Sequence, residues 1–145
     1  MNDSRDYLED ILRNLIRHEV KFIVCGGVAA VLHGVERLTV DLDITLDMSD
    51  ENLHRFVKVM KEECMIPRAP VPPESICDRE LLQRFVEEKG AKVFTFQDPR
   101  QPFKQIDLFI TQDASYDRLI QNTDTILLEP GCPLKILTSD HSQTA

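Results

Sequence analysis

Residues 22–46, FIVCGGVAAVLHGVERLTVDLDITL, decide the fold. Phe22 to Cys25 is an apolar run that stops at Gly26-Gly27. β-Branched and aromatic residues ended by two glycines predict a short buried strand and a turn. Val28 to His33 then supplies a helical turn or two before Gly34 can end it. A helix that starts on two glycines presents free backbone N–H groups where a ligand can approach closely, which suits a phosphate. Further on, Val40, Leu42, Ile44 and Leu46 alternate with Asp41, Asp43, Thr45 and Asp47, the period of a strand with one packed face. Asp41 and Asp43 therefore project from the same side. Two carboxylates that close repel unless a cation sits between them, and oxygen-only ligands favour magnesium or manganese over zinc. In a chain with 25 acidic residues an isolated Asp-x-Asp would read as a half-exposed strand with solvated acids. The Gly-Gly upstream shifts the reading toward a metal site.

Working outward, Tyr7, Leu8, Ile11, Leu12, Leu15 and Ile16 recur at helical spacing and predict an amphipathic helix to about residue 18, capped by Asp3 or Ser4. His18 at its end reads as a helix-terminal cation or a surface residue. Downstream, Ser49-Asp50-Glu51 opens a second helix whose apolar face is Leu53, Phe56, Val57, Met60 and Cys64. Its other side carries Arg55, Lys58 and Lys61, the pattern of a solvated face. Pro67, Pro70, Pro72 and Pro73 break regular structure, as a loop beside a cleft or a stiff surface detour. Leu81, Leu82, Phe85 and Val86 build a third helix ending at Gly90. Ala91 to Phe96 then pairs as a hairpin, through Asp98-Pro99-Arg100, with Phe103 to Thr111. In that last strand Ile106, Leu108 and Ile110 share one face and Asp107 stands on the other. Placed beside the Asp41-Asp43 strand, Asp107 would be a third carboxylate on the open side of the sheet, enough for a two-metal site. Tyr116, Leu119 and Ile120 predict a short helix, and Ile126–Leu128 with Leu134–Leu137 a final hairpin around Pro130-Gly131.

The 145 residues are sized for one domain, expected to span 1–138 with a polar, frayed tail at 139–145. Composition is that of a soluble globular chain, 42% hydrophobic and 29% charged. No apolar run approaches the roughly 20 residues of a membrane span, and the acidic start MNDSRDYLED is unlike a secretory signal, so a cytoplasmic location is expected. A net charge of −8 argues against an extended grip on nucleic acid and suits a small or neutral partner. Cys25, Cys64, Cys77 and Cys132 show no C-x-x-C pair; Cys25 and Cys64 fall within apolar patterns and read as core thiols.

Gly26-Gly27, thirteen residues, Asp41-Leu42-Asp43 and a later Ile106-Asp107-Leu108 together resemble the signature of the nucleotidyltransferase superfamily related to DNA polymerase beta. The string GGVAAVLHGVERLTVDLDI is most similar to its small bacterial branch, the DUF6036-type proteins and the toxins of type IV abortive-infection systems. The resemblance implies an α/β (α+β) fold, a mixed β-sheet with helices packed on one face and a nucleotide cleft on the other. It implies Gly26 and Gly27 cradling the triphosphate of an NTP, with Mg2+ (or Mn2+) held by Asp41, Asp43 and Asp107. Asp107 would bind the second metal or take a proton from the acceptor. Arg37, in the run R-x-T-x-D, would brace the loop before Asp41 or touch phosphate. The implied activity is transfer of NMP to a hydroxyl acceptor, which in the family is a small molecule, RNA or protein. Alternatives are a catalytically weak nucleotide-binding module of a toxin–antitoxin pair, with a helical antitoxin-like partner, and a two-metal phosphohydrolase. Similar proteins commonly continue into a helix with a lysine and further basic residues where this chain has TSDHSQTA, so a cationic phosphate contact would come from elsewhere.

Overall fold

A computed structural model describes residues 4–25 and 42–138. The chain begins with α1 (Ser4–Arg17), whose Ile11, Leu12 and Leu15 are buried. Glu19, at φ 60°, turns the backbone, and Val20 N–H reaches back to Leu15 O at 3.0 Å, so the helix runs directly into β1 (Phe22–Val24). The second strand, β2 (Leu42–Leu46), leads through Asp47 to α2 (Asp50–Glu62). Ser49 caps α2 as its sequence predicts: the hydroxyl accepts from Asn52 N–H, Asp50 and Glu51 sit at the positive end of the helix dipole and Lys61 at the negative end.

β3 (Ile66–Pro67) is a two-residue edge strand in the stretch the sequence reads as irregular. Proline is tolerated there because an edge strand has one side with no ladder to feed. A 3-10 turn (Pro73–Cys77) precedes α3 (Arg79–Lys89), capped by the Asp78 carboxylate and ended by Gly90 in the left-handed region, φ 64°. The hairpin β4 (Val93–Asp98) and β5 (Gln101–Phe109) follows, then a one-turn α4 (Tyr116–Leu119) and the hairpin β6 (Thr123–Leu127) and β7 (Pro133–Leu137).

The strands form one mixed sheet in the order β3-β4-β5-β2-β1-β7-β6. β1 runs antiparallel to β2, whereas β2–β5 and β1–β7 are parallel. α1, α2 and α3 cover one face, and the core lies between them and Phe22, Val24, Leu42, Ile44, Phe94, Phe96, Ile106, Leu108 and Ile136. Phe56 of α2 meets Phe96 edge to face at 5.5 Å, an arrangement that aromatic quadrupoles favour over a face-to-face sandwich. The α+β architecture expected from the sequence, helices against a mixed sheet, is present.

Two details differ from the sequence reading. Cys64 is exposed: α2 ends at Glu62, Cys64 takes φ 59°, and Met65, 1% exposed, occupies the core position instead. The opposite face of the sheet is also partly covered. Tyr116, Leu119 and Ile120 pack against Ile23, Cys25 and Leu137, leaving that face open toward β2, β5 and β4. Among the described residues no helix is long and apolar enough to cross a membrane.

Candidate metal and nucleotide site

Strand alternation puts Asp43 opposite the core face of β2, because Leu42 and Ile44 are both fully buried beneath the helices while Asp43 is half-buried. The same logic turns Asp107 outward between buried Ile106 and Leu108. The two strands are parallel neighbours, and their register aligns Asp43 with Asp107. Two carboxylates thus stand side by side on central strands, their backbones about 4.8 Å apart.

The row continues on both sides. On β4, Thr95 is opposite Asp107, and its hydroxyl donates to Asp107 Oδ1 at 2.7 Å. One carboxylate oxygen is therefore fixed in direction, leaving the other for a cation or a proton. Past β4, Arg68 follows β3 and donates its N–H to Thr95 O at 2.9 Å. Its guanidinium lies against the amide oxygens of Gln97, at 3.2 Å from Nε, and Gln105, at 2.6 Å from Nη2. On the other side Cys25, just past β1, donates its N–H to Asp43 O at 2.7 Å and directs its Sγ to Ile23 O at 3.4 Å. Burial, and then the adjacent Asp43 charge, push the Cys25 thiol up to about 12.

The Cys25 Sγ turns to Ile23 O, so the side chains aligned across β2, β5 and β4 offer carboxylate and hydroxyl oxygens, a hard donor set suited to magnesium or manganese. Asp43 and Asp107 fit such an ion. Among the described residues no cluster of three or more His, Cys, Asp or Glu side chains gathers into a complete cage. Asp41, expected as the third ligand, lies outside the described residues, as do Gly26, Gly27 and Arg37.

Thr95, Arg68 and the two glutamines escape the sequence reading. Thr95 is visible in the sequence as the polar member between Phe94 and Phe96, but nothing local tells which β5 residue it faces. Arg68 sits in the proline-rich stretch, where a two-residue strand leaves no periodic signal. No protein-family model matches the chain, and no curated protein matches it.

Proposed function

We propose that this chain is a metal-dependent nucleotidyltransferase domain that transfers NMP from an NTP to a hydroxyl acceptor. The alignment of Asp43 with Asp107 on adjacent parallel strands supports it above all. Carboxylates in register on neighbouring strands would set their oxygens side by side as donors for a divalent cation.

In this reading Asp43 and Asp107, with Asp41, hold Mg2+ or Mn2+, which when bound offsets the negative charge that develops during phosphoryl transfer. Gly26 and Gly27 follow β1 in sequence, and in this reading their backbone N–H groups would cradle the triphosphate. Thr95 holds Asp107 in one orientation. The acceptor hydroxyl oxygen bonds to the α-phosphorus as the bond to the bridging oxygen breaks, and pyrophosphate leaves with that electron pair. The hydroxyl proton leaves to the unheld oxygen of Asp107 or to water. Much of the rate comes from positioning and from fixed dipoles aimed at the developing charge.

The test is calorimetric titration of each NTP with magnesium into the wild type and an Asp43→Asn/Asp107→Asn double variant, followed by a pyrophosphate assay with cell extract as acceptor. Binding that the double variant loses, with pyrophosphate released by the wild type, is the expected result. Binding without pyrophosphate release would instead indicate a catalytically weak nucleotide-binding module. Release of inorganic phosphate would indicate a phosphohydrolase. An absence of NTP binding would overturn the site.

A further inference from the structure

A cavity of about 300 Å3 opens at the sheet edge where β3 ends and β4 continues. It is lined by Arg68 and Ala69 just past β3, by Val93, Phe94 and Thr95 of β4 with Ala91 before it, and by Phe85 and Lys89 of α3. Its lining holds two cations and no acid, in a chain whose net charge is −8. Neither cation belongs to an ion pair among the described residues. Arg68 uses Nε and Nη2 on neutral amide oxygens, and Lys89 Nζ stands 5.2 Å from the centre of the Phe85 ring. Phe85 stacks on Phe94 at 5.7 Å with the rings 15° apart, so the cavity joins an apolar aromatic wall to two exposed positive groups.

We propose that this cavity binds a small organic anion, a phosphate monoester or carboxylate held by Arg68 and Lys89 with its apolar body against Phe85 and Val93. The volume is at the lower end of ligand pockets, fitting a single small molecule and not a polymer. Arginine and lysine without acidic partners favour an anion, and the aromatic wall favours a body that leaves water. The cavity lies beside β4, where Phe94 turns toward α3 while the Thr95 side chain turns to the opposite face and bonds Asp107. The anion site does not rest on the proposed function.

The test is an amide 1H–15N NMR titration of the full chain, without NTP or metal, using phenyl phosphate and benzoate. Inorganic phosphate and benzyl alcohol serve as charge-only and body-only controls. Shifts at Ala69, Ala91 and Val93 are expected, with both controls about tenfold weaker and Arg68→Gln or Lys89→Gln each lowering affinity by about tenfold. Tighter binding of phenyl phosphate identifies a phosphate monoester, and of benzoate a carboxylate; either supports the site. No shift at those amides up to about 10 mM, or unchanged shifts in an Arg68→Gln/Lys89→Gln double variant, would overturn it. Both cations are exposed, so the variants are expected to keep a native spectrum. If the wild type binds no NTP but the amide shifts persist, the transferase reading fails and the anion site stands.

Discussion

Replacing Asn52 should cost more stability than its size suggests. It stands in the first turn of α2, 3% exposed, and makes three bonds to backbone. Its Oδ1 accepts from Lys21 N–H at 2.7 Å, and its Nδ2 donates to Lys21 O at 3.0 Å and Asp47 O at 2.7 Å. Lys21 precedes β1 and Asp47 follows β2, so one side chain pins the ends of two paired strands, one of which carries Asp43. Asn52→Leu keeps the volume and removes all three bonds. Lys21 O retains the Asp47 N–H at 3.1 Å, but Lys21 N–H and Asp47 O lose the partner that Asn52 supplied. Three bonds at about 1 kcal/mol net, plus about 1 kcal/mol for each of those two groups, give a loss of about 5 kcal/mol. Asn52→Asp keeps the acceptor for Lys21 N–H but points a second carboxylate oxygen at two carbonyls. Its loss should be at least as large at neutral pH and shrink on acidification, because the protonated carboxyl can donate again. Urea unfolding followed by circular dichroism, with an unchanged m-value, measures both. A loss below about 1 kcal/mol for the leucine variant would refute the assigned role of this side chain.

Thr95→Val removes the hydroxyl that orients Asp107 without changing shape, and should lower magnesium-dependent NTP turnover by about tenfold while Thr95→Ser restores it; equal turnover in all three would deny the positioning role. Because burial raises the Cys25 thiol from 9.0 to about 12, the folded state keeps it neutral while the unfolded chain ionises. Its stability contribution is complete below pH 9.0 and is lost as pH rises toward about 12, at about 1.4 kcal/mol per pH unit. Cys25→Ala should flatten the decline above pH 9.0, and in the native protein exposed Cys64 should alkylate well before Cys25. Gly90→Ala should cost about 1 kcal/mol through backbone strain at φ 64°, since an added Cβ meets nothing within 4 Å; a neutral result in thermal unfolding would contradict that.

How much of this was legible follows from the range of each signal. The three long helices and the strands at 22–24, 42–46 and 101–109 announce themselves through period and caps, which are local properties. β3 does not, because two residues ending in Pro67 are too short for alternation and proline argues against a strand. Register is the larger loss. Counting back from the turn at Asp98-Pro99-Arg100, where Asp98 pairs with Gln101, would set Thr95 opposite Lys104. The irregularity between Gln97 and Asp98 slips β5 instead, pairing Gln97 with Gln105 and bringing Thr95 to Asp107. Outward placement of Asp43 and Asp107 was readable from Leu42, Ile44, Ile106 and Leu108, but their alignment depends on a parallel pairing between residues 64 positions apart in sequence. Cys64 misled because the α2 pattern continues one turn beyond the helix itself.

The centre of this sheet is where local preference and observed sequence disagree most. β2 has neighbours on both sides, a place where β-branched and aromatic residues pack best and aspartate is disfavoured. β5 repeats the exception at the aligned position, and the two exceptions reinforce each other because their charges have the same sign. A sequence selected for stability alone would separate them by one register step or neutralise one. Here the β4 neighbour contributes a hydroxyl that orients Asp107, and the cation in the same row, Arg68, stays at the sheet edge, hydrogen-bonded to two glutamines. A guanidinium laid over the pair would cancel the charge and close the site. Kept at the edge, it presents a positive wall on the β4 side. Departures from local rules that are mutually arranged in this way are expected at functional sites more than in a scaffold.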